Sequence, residues 1–270
     1  MVRSHRFDVS IDPQSLTKSA ILPWLARIPV RIGFARGVGR ELAPILNNHK
    51  VQPRTAHVID RTMELLKPLG IENRQVHFQM PIHPAADENI VTFLRQARLT
   101  DRFAVLNPGA GWPSRVWPAQ RYADVAKFLA QKCNLASVVV WAGDQEREWA
   151  NTIVSGSTGK TTLAPRTNLR ELAALLARAT LFVGSDTGPL HLAVAVGTRC
   201  VSMFGPTRPK HSGPYGKQHV ALQQFYQAGT SRQRRGGDNL AMRAIQVDAV
   251  CSACEQVLSD ELAPSVDQAA

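Results

Sequence analysis

The chain has 270 residues, 44% hydrophobic and 20% charged, with 32 Lys and Arg against 21 Asp and Glu for a formal charge of +11. This composition excludes a disordered or fibrous chain, and no apolar run reaches the roughly 20 residues that a membrane-spanning helix needs. A globular chain of this length holds one large or two modest domains, and its basic excess suits nucleic acid, an anionic membrane or a phosphorylated substrate.

The opening "MVRSHRFDVSID" has no apolar core of a signal peptide, so the expected compartment is the cytoplasm. "FDVSID" (7–12) predicts a strand and "SLTKSAILPWLARI" a helix. "VRIGFA" (30–35) predicts a second strand. "AHVIDRTMELLKPLG" predicts a helix stopped by Gly70. "VHFQM" (76–80) alternates as a strand does, and "DENIVTFLRQA" predicts a helix carrying the chain between domains. "RFAVLNPGAG" is a strand ending in a glycine turn, followed by the helix "AQRYADVAKFLAQ" and the apolar strand "SVVVWAG". "DQEREWANTIV" and "NLRELAALLARA" are helices. Then come "LFVGSDTGPLHLAVAVGT", "CVSMFGP", "HVALQ" and a closing helix, "VDAVCSACEQVL". Apolar strands separated by helices predict parallel sheets covered on both faces, in two α/β units.

Cys251 and Cys254 form a C-x-x-C with no second pair to complete a zinc site, so helix packing is the expectation and no metal is implied. "SGSTGKTT" (155–162) imitates a phosphate-binding P-loop. Its glycine spacing is wrong, and a helix precedes it where the motif needs a strand, so a plain turn is expected. The cations are scattered except in "SRQRR" (231–235), and stacking aromatics are few, which argues against nucleic acid.

The chemistry concentrates where predicted strands end, since open α/β sheets bind ligands beyond the carboxyl ends of their strands. After "LFVGS" come Asp186, Thr187 and Gly188. Asp186 or Thr187 can cap the next helix, and Pro189 suits its first turn. The free N–H groups and positive helix end then favour an anion, although a capped helix alone is the competing explanation. Gly109, Ala110, Gly111 and Arg115 follow the strand at 103–107. Gly143, Asp144 and Glu146 follow the next, and "MFGPTRPK" adds Arg208 and Lys210. Together these predict a nucleotide-diphosphate pocket, with backbone N–H and Arg115 for phosphates and a carboxylate for sugar hydroxyls.

The segments "SDTGPLHLAVAVGTRCVSMFGPT", "NPGAGWPSRVWPAQRYADVAKFL", "FDVSIDPQSLTKSAIL", "RIGFARGVGRELA" and "AHVIDRTMELLKPLGI" resemble the ADP-heptose:lipopolysaccharide heptosyltransferases, glycosyltransferase family 9. The resemblance covers nearly the whole chain. It implies an α/β, GT-B-like fold of two Rossmann-like parallel-sheet domains, the N-terminal one incomplete. The boundaries it suggests are a partial acceptor-side domain at 1–82, a linker helix at 83–100, a donor-binding domain at 101–262 and a loose tail at 263–270. The implied reaction is inverting transfer of heptose from an ADP-sugar to a lipopolysaccharide-core acceptor, without a metal. The ADP-sugar is a co-substrate, so no cofactor is expected.

By the same resemblance, Asp186 bonds donor sugar hydroxyls, and Thr187 and Gly188 bind the diphosphate with the backbone at Ala110 and Gly111. His191 supports that helix end or is simply a buried histidine. Arg115 stands where the family usually has lysine and would neutralise the leaving diphosphate. Glu146 would hold the ribose and the backbone at Thr167 the adenine. Lys18, Arg40, His57 and Arg61 match positions facing a phosphorylated or acidic lipid-sugar acceptor; solvated surface charge is the alternative. The family pattern opens with a strand and a Gly-Asp loop bearing the catalytic base. Here Met1 stands just before "RFDVSID" with no early Gly-Asp, so the base is unassigned. A nucleotide-sugar-binding protein without full activity is therefore the alternative expectation. The charge also suits peripheral contact with the inner face of the inner membrane.

Overall fold

A computed structural model describes residues 5–72, 75–99, 102–157 and 159–262. The chain divides into two compact units, Met1–His77 and Phe78–Ala270.

The first unit carries a parallel three-stranded sheet of β1 (Val9–Asp12), β2 (Val30–Phe34) and β3 (His49–Val51), in that order. Helix α1 (Thr17–Leu25) connects β1 to β2, and α2 (Ala43–Leu46) leads into β3. The sequence does not predict strand β3, because "HKV" has no alternating apolar pattern; it aligns through backbone bonds with Ile32 opposite His49. Helix α3 (Val58–Met63) tightens into a 3₁₀ segment, Glu64–Leu69. Pro68 lacks the N–H that an α-helix would use there, and Gly70 ends the segment at φ 75°. Ile32, Phe34, Val51 and Leu65 form the small core.

The expected strand at 76–80 is absent. Its residues join no ladder; Phe78 instead packs edge-on to Tyr215 with ring centroids 6.1 Å apart. The unit boundary falls after His77, not near 82. The helix expected as a linker is α4 (Pro84–Gln96), and it belongs to the second unit. Ile90 and Leu94 are buried in that unit's core, and Asp87 pairs with Arg178 at 2.7 Å. An amphipathic helix with such a stripe gains more by packing into one domain's core than by bridging two domains.

The second unit alternates strands and helices: β4 (Phe103–Asn107), α5 (Ala119–Lys132), β5 (Ala136–Val139), α6 (Gly143–Gly156), β6 (Thr161–Leu163), α7 (Leu169–Arg178), β7 (Leu181–Ser185), α8 (Gly188–Ala195), β8 (Arg199–Met203), α9 (Pro209–Ser212) and β9 (Val220–Leu222). Helices α10 (Ser231–Gly236), α11 (Leu240–Arg243) and α12 (Val247–Leu262) follow. Every strand pair is parallel, in the order β6-β5-β4-β7-β8-β9. The chain winds outward from β4 through β5 to β6, then returns to the other side of β4 to lay down β7. A crevice opens between loops at such a reversal, here at the carboxyl ends of β4 and β7. These central strands are wholly buried, as their continuous apolar runs require. Cys251 and Cys254 face the core from α12 itself, as free thiols. The P-loop imitation is the turn from α6 into β6, with Lys160 Nζ donating to Asn134 Oδ1 at 2.9 Å. The tail at 263–270 lies outside the described residues.

Candidate functional site

Asn107 closes β4 and ties the two central loops together. Its buried amide donates to the Gly109 carbonyl and to the Thr187 hydroxyl, each at 3.2 Å. Tyr122 holds the same strand end by donating to the Asn107 carbonyl at 3.0 Å. The Thr187 hydroxyl in turn donates to the Ser185 carbonyl at 3.2 Å.

Thr187 is the N-cap residue of α8 by backbone geometry, but its side chain makes no capping bond. The hydroxyl expected to cap is used to fix the loop. The first turn of α8 is thus left with backbone donors and a positive dipole end unanswered by a side chain. Around Gly188 there is open space: a Cβ added there would meet nothing within 4 Å, and the same holds at Gly111.

Arg115 reaches this mouth from a short 3₁₀ turn, Pro113–Arg115. Its Nη1 donates to the Asp186 carbonyl at 2.7 Å, and Nη2 lies 3.3 Å from Asp186 Oδ2. Its guanidinium stacks 3.7 Å from the Trp112 ring centroid. Burial lowers the proton affinity of Arg115, Asp186 raises it, and Arg234 and Arg235 lower it again. The group stays cationic at neutral pH, since arginine keeps its proton in proteins.

Asp186 is 4% exposed. Burial pushes its carboxyl up, but His191, Thr207 and the Arg115 charge together outweigh that and hold it below the usual value. His191 Nε2 stands 3.4 Å from Asp186 Oδ1. Thr207 faces the same carboxylate without closing a hydrogen bond of regular geometry. His191 is not a buried histidine: half its side chain is exposed, and it leans on the acid.

Glu146 occupies the first turn of α6 and accepts from the Ala142 N–H at 2.8 Å. Its carboxylate lies so close to Gly109 that a Cβ there would collide with it. The turns after β4 and β5 therefore touch. Burial raises the Glu146 carboxyl, and the Ala142 bond only partly offsets this. Ala110 lies between these two glycines. Thr167, just before the N-cap of α7, lines a different cleft of about 320 Å³ with Asn89 and Phe93 of α4.

The four residues matched to an acceptor lie in the first unit and fall into two pairs. Lys18 and Arg40 both act on the exposed Glu41 carboxylate, which accepts from the Thr17 N–H at 2.9 Å. His57 caps α3 through Nδ1, accepting from Ile59 N–H at 3.3 Å, and Arg61 one turn later lies 5.5 Å from the Phe34 ring.

Sequence reasoning missed Asn107, Trp112 and Thr207, and it set Arg234 and Arg235 aside with a basic run. The Ser114 hydroxyl donates to the Arg234 carbonyl across 120 residues. No local pattern reports such a contact. Asn107, as the polar end of an apolar strand, was the one signal available.

Residues 1–238 match the family model described as glycosyltransferase family 9 (heptosyltransferase). Lipopolysaccharide heptosyltransferase 3 of Escherichia coli K12 is 25% identical over 277 residues, covering 99% of this chain and 78% of the relative. Lipopolysaccharide heptosyltransferase 1 of Pseudomonas aeruginosa is 29% identical over 224 residues, covering 80% of this chain and 59% of that protein. Among solved structures, the E. coli heptosyltransferase WaaC with ADP is similar at a TM-score of 0.71 and 24% identity, over 94% of this chain and 75% of its own. The chain thus spans about three fifths to four fifths of the length of these proteins.

Proposed function

Because the chain belongs to glycosyltransferase family 9, we propose that it transfers heptose from an ADP-sugar to a lipopolysaccharide-core acceptor, with inversion and without a metal. The observation that carries this reading is the two-point hold of Arg115 on Asp186 at the uncapped, open start of α8. The donor diphosphate lies against the backbone N–H groups of that helix, with the Ala110–Gly111 backbone alongside. Asp186 accepts from hydroxyls of the donor sugar, and its lowered pKa keeps it an acceptor at neutral pH. Thr187 and Gly188 contact the phosphates, and His191 steadies the acid. Glu146 bonds the ribose and the Thr167 backbone the adenine. Lys18, Arg40, His57 and Arg61 receive the acidic acceptor.

The acceptor oxygen forms a bond to the anomeric carbon as the bond from that carbon to the diphosphate oxygen breaks. The electron pair leaves with ADP, and Arg115 neutralises the charge that grows there. A single displacement inverts the anomeric centre, and the acceptor hydroxyl's proton passes to a base. ADP in the similar E. coli structure supports adenine as the nucleotide base. The excess of cations supports peripheral contact with an anionic membrane, each cation near the surface contributing about 1 kcal/mol.

Calorimetry with ADP-heptose, paired with an assay of acceptor-dependent ADP release, tests the proposal. The expected result is binding that weakens in Asp186→Ala, together with release of ADP. Binding without release would leave a nucleotide-sugar-binding protein. Absence of binding at millimolar donor, or preference for UDP or GDP over ADP, would overturn the ADP-sugar reading.

A further inference from the structure

We propose that Arg232 and Arg235, beside the Trp112 ring, form a second anion subsite that takes a phosphomonoester carried by the acceptor. The basic run at 231–235 is not a loose surface feature. Helix α10 is pinned at its start by a reciprocal cap, in which Thr230 N–H donates to Gln233 Oε1 at 2.9 Å and the Thr230 hydroxyl accepts from Gln233 N–H at 3.3 Å. Arg234 is committed to the fold: Nη1 donates to the Pro206 carbonyl at 2.8 Å and Nε to the Gly229 carbonyl at 3.2 Å. Its own carbonyl accepts from Ser114. The bonds around Arg234 therefore hold α10 against the turn that carries Trp112 and Arg115.

Arg232 and Arg235, three residues apart, share one side of the helix. They line a cleft of about 730 Å³ with Gly111, Trp112, Pro113 and Gly236. The Arg235 guanidinium lies 5.1 Å from the Trp112 ring centroid, and Arg115 stacks on that same ring. Both Arg234 and Arg235 make Arg115 less willing to hold its proton, so the mutual repulsion is felt across the cluster. Among the described residues, Asp186 is the carboxylate in salt-bridge contact with this cluster, through Arg115. A diphosphate at α8 would answer Arg115 but leave Arg232 and Arg235 unmatched. Guanidinium groups bind phosphate oxygens in pairs, and Gly111 and Gly236 leave space around the backbone for that approach. That the phosphate is carried by an acceptor rests on the transfer reading above; the subsite itself does not.

The test is calorimetry of inorganic phosphate binding in the presence of saturating ADP, in the parent protein and in a double variant, Arg232→Ala with Arg235→Ala. Both side chains are exposed, so thermal unfolding should be unchanged and serves as the control for folding. Phosphate is expected to bind alongside ADP, with affinity about tenfold weaker in the double variant. Competition between phosphate and ADP, no phosphate binding, or binding indifferent to the double variant would overturn the subsite. If ADP fails to bind, the transfer reading falls, while phosphate binding that the double variant loses would still uphold the subsite. With turnover in hand, the double variant should raise KM about tenfold for a phosphorylated acceptor and leave a dephosphorylated one unaffected. Equal effects on both acceptors would overturn the assignment of the phosphate to the acceptor.

Discussion

Arg115 grips Asp186 at two atoms, the main-chain carbonyl at 2.7 Å and the carboxylate at 3.3 Å, across 71 residues of chain. The contact joins the turn after β4 to the start of α8, the two loops that flank the reversal in strand order. It fixes a buried acid and a stacked cation at the amino end of a helix whose first turn has no side-chain cap.

Arg115→Ala should lower kcat/KM by about 10²–10³, the range seen when a charge-stabilising donor is removed. Arg115→Lys should keep part of that activity, because the charge survives, but not all, because one ammonium cannot serve both Asp186 atoms with the same planar fork. Steady-state kinetics with varied donor concentration would read both. Equal activity in all three proteins would remove Arg115 from the leaving-group role.

Gly188→Ala and Gly109→Ala should separate ligand binding from folding. At Gly188 the added methyl meets open space, so the melting temperature should hold while ADP affinity falls. At Gly109 the methyl would run into the Glu146 carboxylate, so that variant should lose stability as well as nucleotide binding. Thermal melts and ADP titrations on the two proteins make the comparison; matching losses of stability would contradict it.

The stability of the second unit should fall between about pH 6.5 and pH 4 because of His219. Burial pulls this histidine from 6.5 down to about 4, with Arg199 adding to the fall and a Tyr215 backbone bond opposing it. In that window the unfolded chain binds a proton that the folded chain refuses, so acid favours unfolding. Above 6.5 the contribution is complete. Nδ1 of His219 accepts from the Cys200 N–H at 3.2 Å, so His219→Gln should flatten the pH dependence at some cost in stability at neutral pH. Chemical denaturation across pH 4–7.5 would measure it.

The first unit should weaken at lower pH, through Glu64. Burial alone would raise this carboxyl, but Lys67, Thr55 and Arg54 outweigh it and bring the pKa to about 2. Its Oε1 accepts from the N–H groups of Arg54 and Thr55, each at 2.9 Å, so the charge secures the loop after β3. The stabilisation is present above about pH 4.5 and is lost as pH falls toward 2. Glu64→Gln should remove this acid-sensitive step and destabilise the unit at neutral pH by about 1–3 kcal/mol, the scale for losing hydrogen bonds to a buried charge. Amide hydrogen exchange over residues 49–65 would localise the change.

Much of this protein follows from its residues taken in order. Short apolar runs such as "VVVW" and "LFVGS", bounded by glycine, fit buried strands, and the helices between them favour a parallel sheet, so the α/β class was legible without coordinates. The same pattern put Gly109, Arg115, Glu146, Asp186 and Gly188 at strand ends, where a parallel sheet presents its loops to a ligand. Strand order was beyond its reach, because which edge of β4 receives β7 depends on packing between elements dozens of residues apart. That order is what brings Arg115 to Asp186, and the fold around it carries Arg234 to Ser114. Only tertiary packing moved α4 into the second unit, where its stripe of Ile90 and Leu94 packs beside α7 in that unit's core. The Thr187 hydroxyl makes the same point at the scale of one side chain. Locally it is a good helix cap, yet Asn107 from another strand and the Ser185 carbonyl claim it, and the start of α8 is left open. Local sequence sets what each group is able to bond; the competition among distant partners decides which bond it makes.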